Sequence, residues 1–162
     1  WATLLRRGEA FSYDGDAEGE RPPLGTLAAG QVLYEPDCAL MRAGCLAGLC
    51  RQWQAQLFDP EIAYLVGAPR DDVRPQDTRL AQAFSIDEVH PFALKLLNTR
   101  LQALGIAEVE LKKRGFPQEP ESLRPRLKLA RQGRPGVVIF SRRGDEHIMI
   151  LGQRLRPAPQ KP

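Results

Sequence analysis

From Leu80 onward, hydrophobic and polar positions follow two regular periods. Alternation over residues 80–89 and again over 107–112 predicts two strands. Between them, leucines at helical spacing predict a helix that Pro91 opens and Gly105 caps at its C-terminal end. The pattern therefore predicts strand, helix and strand in succession.

The same regularity continues to the C-terminal part of the chain. Pro120 opens a predicted short helix, and Pro125 limits its length. Two apolar runs joined around 143–145 predict a hairpin. The order of elements predicts an α/β (α+β) fold, in which helices pack on a small mixed sheet.

The first part of the chain has weaker patterning. Residues 1–13 predict one or two short strands with a turn, and 14–25 have the Gly, Pro and acidic composition of a loop. An apolar stripe through Trp53 predicts a single helix over "YEPDCALMRAGCLAGLCRQWQAQLF", which begins near Pro36 and ends at the following "FDP". The short apolar run 62–66 predicts a buried strand.

Composition places the protein in the ordinary globular class. Its 162 residues are 43% hydrophobic, and no long uncharged apolar run predicts a membrane span. Cys38, Cys45 and Cys50 fit neither a zinc pattern nor a disulfide framework, so we expect buried thiols and a reducing, cytoplasmic compartment. Because the chain starts at Trp1 and has no secretory signal, we expect it to be part of a longer polypeptide.

Catalytic chemistry is weakly represented in the sequence. The chain has no Gly-rich nucleotide fingerprint, no phosphate-binding loop, no nucleophile elbow and no paired metal-binding histidines. His90 precedes a predicted helix, which favours a capping or packing role, and His147 is expected to be exposed in the hairpin. We therefore predict no catalytic residue and no metal ligand in this chain.

A basic second half is the strongest functional signal. The net charge is only +3, but acidic residues concentrate near the N-terminus and basic residues in the second half. Cations on one face would bind a polyanion such as RNA, although such a run can equally be a solvated surface. The candidate RNA-binding residues are Lys112, Lys113, Arg114, Arg124, Arg126, Lys128, Arg131, Arg142 and Arg143.

Three segments also carry a resemblance to a known family. "LYEPDCALMRAG", "FDPEIAYLVG" and "VHPFALKLLNTRLQALGIAEVELKKRGFPQEPESLRPRL" resemble the THUMP-like C-terminal domain of bacterial class I S-adenosylmethionine-dependent methyltransferases. The resemblance runs from about Pro23 to about Leu155, and Pro125 departs from the plain helix former that similar sequences have. It implies a THUMP-like fold after a short N-terminal β segment.

The resemblance also implies a domain organisation and a role. The chain would divide into N-terminal strands and loop (1–30), a THUMP-like α/β domain (31–156) and a flexible tail (157–162). A methyltransferase domain that binds S-adenosylmethionine would precede it in the same polypeptide. By analogy with THUMP domains, the chain would bind RNA and position it for that catalytic domain.

A second hypothesis assigns no RNA to the chain. In it, the domain docks on the methyltransferase domain and completes its substrate pocket through Tyr34, Glu35 and Asp37. A simple capping role for Pro36 and Asp37 at a helix start explains the same residues equally well.

Overall fold

A computed structural model describes residues 2–6, 9–15, 20–69 and 77–156. These residues form two compact units, one from the chain up to Ser85 together with its end from Leu155, and one over Ile86–Arg154. The division at residues 30 and 156 that the sequence suggested stays a prediction.

The described elements follow in chain order. The strands are β1 (Ala2–Arg6), β2 (Glu9–Tyr13), β3 (Val32–Pro36), β4 (Ala55–Asp59), β5 (Ile62–Gly67), β6 (Ala81–Pro91), β7 (Ile106–Lys113), β8 (Arg134–Arg143) and β9 (Glu146–Leu155). The helices are α1 (Cys38–Arg42), α2 (Leu46–Trp53), α3 (Asp77–Leu80), α4 (Leu94–Ala103) and α5 (Pro120–Leu123), and a 3₁₀ turn follows at Arg124–Arg126.

The first unit combines a β-hairpin with an antiparallel sheet. Strands β1 and β2 pair with each other, whereas β3 lies between β5 and the first half of β6, with β4 on the outer side of β5. Helices α1 and α2 contribute apolar side chains to the core of this unit. Its members include Val32, Tyr34, Leu40, Cys45, Leu49, Cys50, Trp53, Leu57 and Leu65.

The predicted single helix after Pro36 is wrong in three respects. Pro36 ends β3, where a missing N–H is tolerated, and Asp37 then caps α1 by accepting a hydrogen bond from the Ala39 N–H at 2.9 Å. Gly44, at a φ of +69°, separates α1 from α2. The end of the predicted helix is strand β4 instead.

The second unit is the α/β part of the chain. The second half of β6 is followed in the sheet by β9, β8 and β7. Strands β8 and β9 form the predicted hairpin, whereas β7 and β8 are parallel and therefore need a crossover, which α5 and the residues after it supply. The predicted α/β class with a mixed sheet and an N-terminal β segment is confirmed.

Helix α4 supplies the main helical packing in this unit. It begins at Leu94 rather than at Pro91, which ends β6, so the predicted helix start is wrong by one turn. Its Leu97 and Leu101 are fully buried. They join an apolar cluster that also contains Ile106, Val109, Phe116, Leu123, Val138, Phe140, Met149 and Leu151. Within the described residues, none of the helices is both long enough and apolar enough to cross a bilayer.

Candidate functional site

Helix α4 has a polar face opposite its buried leucines. Lys95, Asn98, Thr99 and Gln102 follow one another at helical spacing of three and four residues, so they lie along one stripe. Lys95 and Thr99 are exposed, and Gln102 is exposed as well. Because Leu97 and Leu101 hold the opposite face in the core, the orientation of the stripe is set by packing.

A segment after α5, which we call the strap (residues 126–131), runs beside this stripe. Its Leu127 and Leu129 pack against the apolar cluster, and the intervening Lys128 is exposed, as is Arg126. Such alternation is what an extended segment over a core produces. The Ala130 N–H donates to the Ile106 carbonyl at 2.8 Å and ties the strap to the start of β7.

Asn98 fastens the strap to α4. Its side-chain amide donates to the Arg126 carbonyl at 3.0 Å, and its oxygen accepts a hydrogen bond from the Lys128 N–H at 2.8 Å. The two bonds bracket Leu127, whose backbone is extended. A single side chain thus holds the backbone of Arg126 and Lys128, two of the three cationic residues of the strap.

The stripe and the strap enclose an open groove of about 540 Å³. Lys95, Arg126 and Lys128 contribute three positive charges, and no carboxylate is among the lining residues. None of the three side chains forms an ion pair within the described part of the chain. The lining residues are Leu94, Lys95, Asn98, Thr99, Gln102, Arg126 and Lys128.

Lys113 and Arg124 are predicted RNA-binding cations, but each is paired with a nearby glutamate. Lys113 forms an ion pair with Glu119. Arg124 binds Glu121 with both Nε and Nη2, at 2.6 and 2.9 Å, and donates from Nη1 to the Val109 carbonyl at 3.2 Å. The hydrogen bonds from Arg124 lower the pKa of Glu121, so the carboxylate stays charged beside its partner.

Four other predicted cations lie in the hairpin or at the end of β7. In the hairpin, Arg142 donates from Nη1 to the Gly144 carbonyl at 3.0 Å, and Arg143 lies 3.4 Å from Glu146. Lys112 is half-buried on β7, and the backbone of Arg114 donates to the Phe140 carbonyl at 2.9 Å.

The predicted RNA-binding residues lie only in part around the groove, and their role stays a prediction. Of the nine predicted residues, the structure brings only Arg126 and Lys128 into the groove, while Arg131 lies exposed further along the strap. Pro125 explains the separation, since the chain leaves α5 in a 3₁₀ turn that directs Arg124 toward Glu121 and carries Arg126 onward.

The residues of the docking hypothesis have structural duties in the first unit. Tyr34 is only 1% exposed, and its ring stacks on Trp53 with centroids 4.8 Å apart. Glu35 is half-buried on β3, and Asp37 caps α1. Burial of Tyr34 in the core removes the main reason for placing it at a docking surface.

The histidines lie outside the groove. The Nε2 of His90, on β6, is 2.8 Å from Glu88, which also binds Arg100 of α4. His147 is exposed, as expected, with its ring edge-on to Phe116. Among the described residues, His, Cys, Asp and Glu form no group of three or more that could hold a metal ion.

The cysteines differ among themselves. Cys45 and Cys50 are buried as expected, whereas Cys38 is exposed at the start of α1.

Sequence reasoning missed Lys95 and Asn98. The signal for Lys95 was present, because it lies two residues before Leu97 and so on the face that the leucines leave to solvent. Asn98 carried no such signal, since its partners are 28 and 30 residues away in the chain.

Sequence comparison finds one matching protein family and two relatives of this chain. Residues 81–154 match the family model described as THUMP domain-like, a range that leaves out Tyr34, Glu35 and Asp37. Two relatives from Mycobacterium tuberculosis, strains CDC 1551 and H37Rv, are each named an uncharacterized S-adenosylmethionine-dependent methyltransferase. Both are 32% identical over 142 residues, which cover 86% of this chain and 37% of theirs.

A solved structure is similar over nearly the whole chain. A protein from Porphyromonas gingivalis W83, named "putative methyltransferase", superimposes with a TM-score of 0.58 and 18% identity, over 94% of this chain and 36% of its own. At this identity the similarity concerns the fold. The chain thus spans just over a third of the length of its curated relatives, and residues 81–154 match the THUMP-like family that the sequence resembles.

Proposed function

We propose that this chain is the RNA-binding accessory domain of an S-adenosylmethionine-dependent methyltransferase and positions RNA for a catalytic domain in the same polypeptide. The match of residues 81–154 to the THUMP-like family supports the accessory role. The names of the relatives support the link to methyl transfer, and their greater length leaves room for a separate catalytic domain. We place the protein in the cytoplasm, where bacterial RNA is found.

The observation that carries the proposal is a set of exposed cations in the crossover between β7 and β8. Arg126, Lys128 and Arg131 are exposed in the matched segment and form no ion pair with a described residue. Cations that are not neutralised by protein carboxylates can displace the counterions of a phosphodiester chain, and this release favours binding. By analogy with THUMP domains, we take this phosphodiester chain to be RNA.

The other predicted RNA-binding residues are weaker candidates for the first contact. Lys113, Arg124 and Arg143 would each have to exchange a glutamate for a phosphate. Exposed ion pairs contribute little, about 0–1 kcal/mol, so such an exchange costs little but also gains little. Lys112, Arg114 and Arg142 remain part of the proposed basic surface around the strap.

The methyl donor belongs to the catalytic domain in this proposal. S-adenosylmethionine would supply the methyl group there, and the residues of the present chain would only bind and orient the RNA. The chain would thus raise the effective concentration of the acceptor nucleotide at the catalytic domain, which accelerates the reaction.

Binding of the chain to total bacterial RNA at two salt concentrations tests the proposal. If three cations each neutralise one phosphate, affinity should fall about 20–40-fold between roughly 50 and 200 mM salt. Arg42→Ala, which removes an exposed cation of the first unit, is the charge control and should leave both affinity and salt dependence nearly unchanged. Absence of salt-dependent binding would refute RNA binding by this chain.

A further inference from the structure

We propose that the groove between α4 and the strap is the primary RNA contact, with Lys95, Arg126 and Lys128 binding consecutive backbone phosphates. This inference rests on the proposed function and goes further by naming the site and adding Lys95. It also makes the groove, rather than the Lys112–Arg114 run, the anchor for RNA.

Charge is the first argument for the groove. Its three cations repel one another, and no lining carboxylate relieves the repulsion. A bound anion would relieve it, so the groove gains more from a phosphate than a neutralised surface does. Lys113, by contrast, already has Glu119 as a partner.

Preorganisation is the second argument. Asn98 uses both ends of its amide on the strap backbone, and Leu127 and Leu129 anchor the strap from below. The backbone of Arg126 and Lys128 is therefore already ordered before any ligand binds. Because this backbone is ordered in the unbound protein, RNA binding loses less conformational entropy. Asn98 is thus a positioning residue for the groove.

The neutral groups of the groove favour RNA over other phosphates. The Thr99 hydroxyl already donates to the Lys95 carbonyl at 3.1 Å, so its oxygen is left to accept a hydrogen bond. The exposed side-chain amide of Gln102 forms no hydrogen bond with a described residue and can both donate and accept. A ribose 2′-hydroxyl both donates and accepts, and DNA lacks it. Alternating phosphates and hydroxyls fit this lining.

The test uses the 162-residue chain and a short single-stranded RNA of mixed sequence. Lys95→Ala, Arg126→Ala and Lys128→Ala should each weaken binding about 3–10-fold at low salt and reduce the salt slope by roughly one. Arg126→Lys keeps the charge and should retain most of the affinity. Arg42→Ala is the charge control, with affinity expected within about twofold of the parent chain. Lys113→Ala, which removes a cation already paired with Glu119, should weaken binding less than any of the three groove substitutions.

Two further ligands separate the possible sources of phosphate. The DNA strand of the same sequence should bind more weakly than the RNA. Inorganic phosphate should not compete with the RNA when the total ionic strength is held constant by lowering the concentration of the other salt. Far-ultraviolet circular dichroism checks that each variant is folded.

Each outcome has a distinct meaning. RNA binding that survives all three groove substitutions, or that is lost with Lys113→Ala, would overturn the groove and leave the proposed function standing. Effective competition by inorganic phosphate would make the groove a small-anion site and also overturn the inference. If the parent chain binds no RNA at all, the proposed function itself fails.

Discussion

Glu88 offers a test of how helix α4 is held on the sheet. It lies on β6, and its Oε2 receives a hydrogen bond from the Nε of Arg100, on α4, at 2.8 Å. The Nε2 of His90 lies at the same distance from this oxygen. Hydrogen bonding from Arg100 is the largest cause that lowers the pKa of Glu88, from 4.5 to about 2. Replacing Glu88 with Gln removes the charge and keeps the shape.

The free energy that the Glu88 carboxylate contributes to stability follows from this pKa shift. At about 1.4 kcal/mol for each pH unit, the lowered pKa corresponds to about 3 kcal/mol. The Arg100 side chain keeps 33% of its surface in water and that of His90 keeps 28%, so screening reduces the effect. We expect Glu88→Gln to lower the free energy of unfolding by about 2 kcal/mol at neutral pH.

The direction of the Glu88 pKa shift sets the pH range in which this carboxylate stabilises the fold. The folded protein holds the Glu88 proton less tightly than the unfolded chain, so the stabilisation is complete above the unfolded pKa of 4.5 and is lost as pH falls toward about 2. Urea denaturation of the parent and the variant should therefore give a difference at pH 3 that is less than half the difference at pH 7.

Glu110→Gln is the matched control for this prediction. Glu110 pairs with Arg154, and the two side chains are 38% and 35% exposed. Hydrogen bonding from Arg154 also lowers the pKa of Glu110, but an exposed pair contributes only about 0–1 kcal/mol. If Glu88→Gln costs no more than Glu110→Gln, or costs the same at pH 3 as at pH 7, Glu88 does not hold α4 as described.

Three further predictions concern the hydrogen bonds from Asn98 to the strap, the close approach of Gly133 to Gly105, and the burial of Tyr34. Asn98→Ala should destabilise the chain by about 1–3 kcal/mol and also weaken RNA binding, because two hydrogen bonds to the strap are lost; unchanged RNA affinity would contradict its positioning role. Gly133→Ala should cost more than about 3 kcal/mol in urea denaturation, since its Cβ would lie 2.0 Å from the Gly105 carbonyl oxygen, whereas Gly105→Ala, with open space around it, should cost only about 1–2 kcal/mol. Tyr34→Ala should cost about 3–5 kcal/mol in the isolated chain, and a negligible loss of stability would restore Tyr34 as a candidate docking residue.

Regular elements with their own local pattern could be predicted from the sequence. Strand β7, the hairpin of β8 and β9 and the short helix at Pro120 all have periodicity or turn residues within a few positions. Strand β3 could not be recognised, because Pro36 suits both a helix start and a strand end. Only the pairing of Pro36 with Ala81, far along the chain, decides between them.

The end of α2 shows the same limit in another form. The apolar stripe continues from Trp53 to Leu57, yet the helix stops at Gln54, which takes a left-handed conformation at a φ of 52° without being glycine. For the candidate site, charge composition found Arg126 and Lys128. The glutamate partners of Arg124 and Arg143 lie only three residues away, so these pairs could have been anticipated from the sequence. A pair such as Arg154 with Glu110 joins distant positions and could not.

The most direct test of RNA binding at the groove is site-resolved. Backbone amide NMR shifts of the isotopically labelled chain would be followed while a short single-stranded RNA is added. Binding at the groove should place the largest shifts on Lys95, Asn98 and Gln102 of α4 and on Arg126 and Lys128 of the strap. Shifts confined to Lys112–Arg114, or no shifts at any RNA concentration, would contradict it.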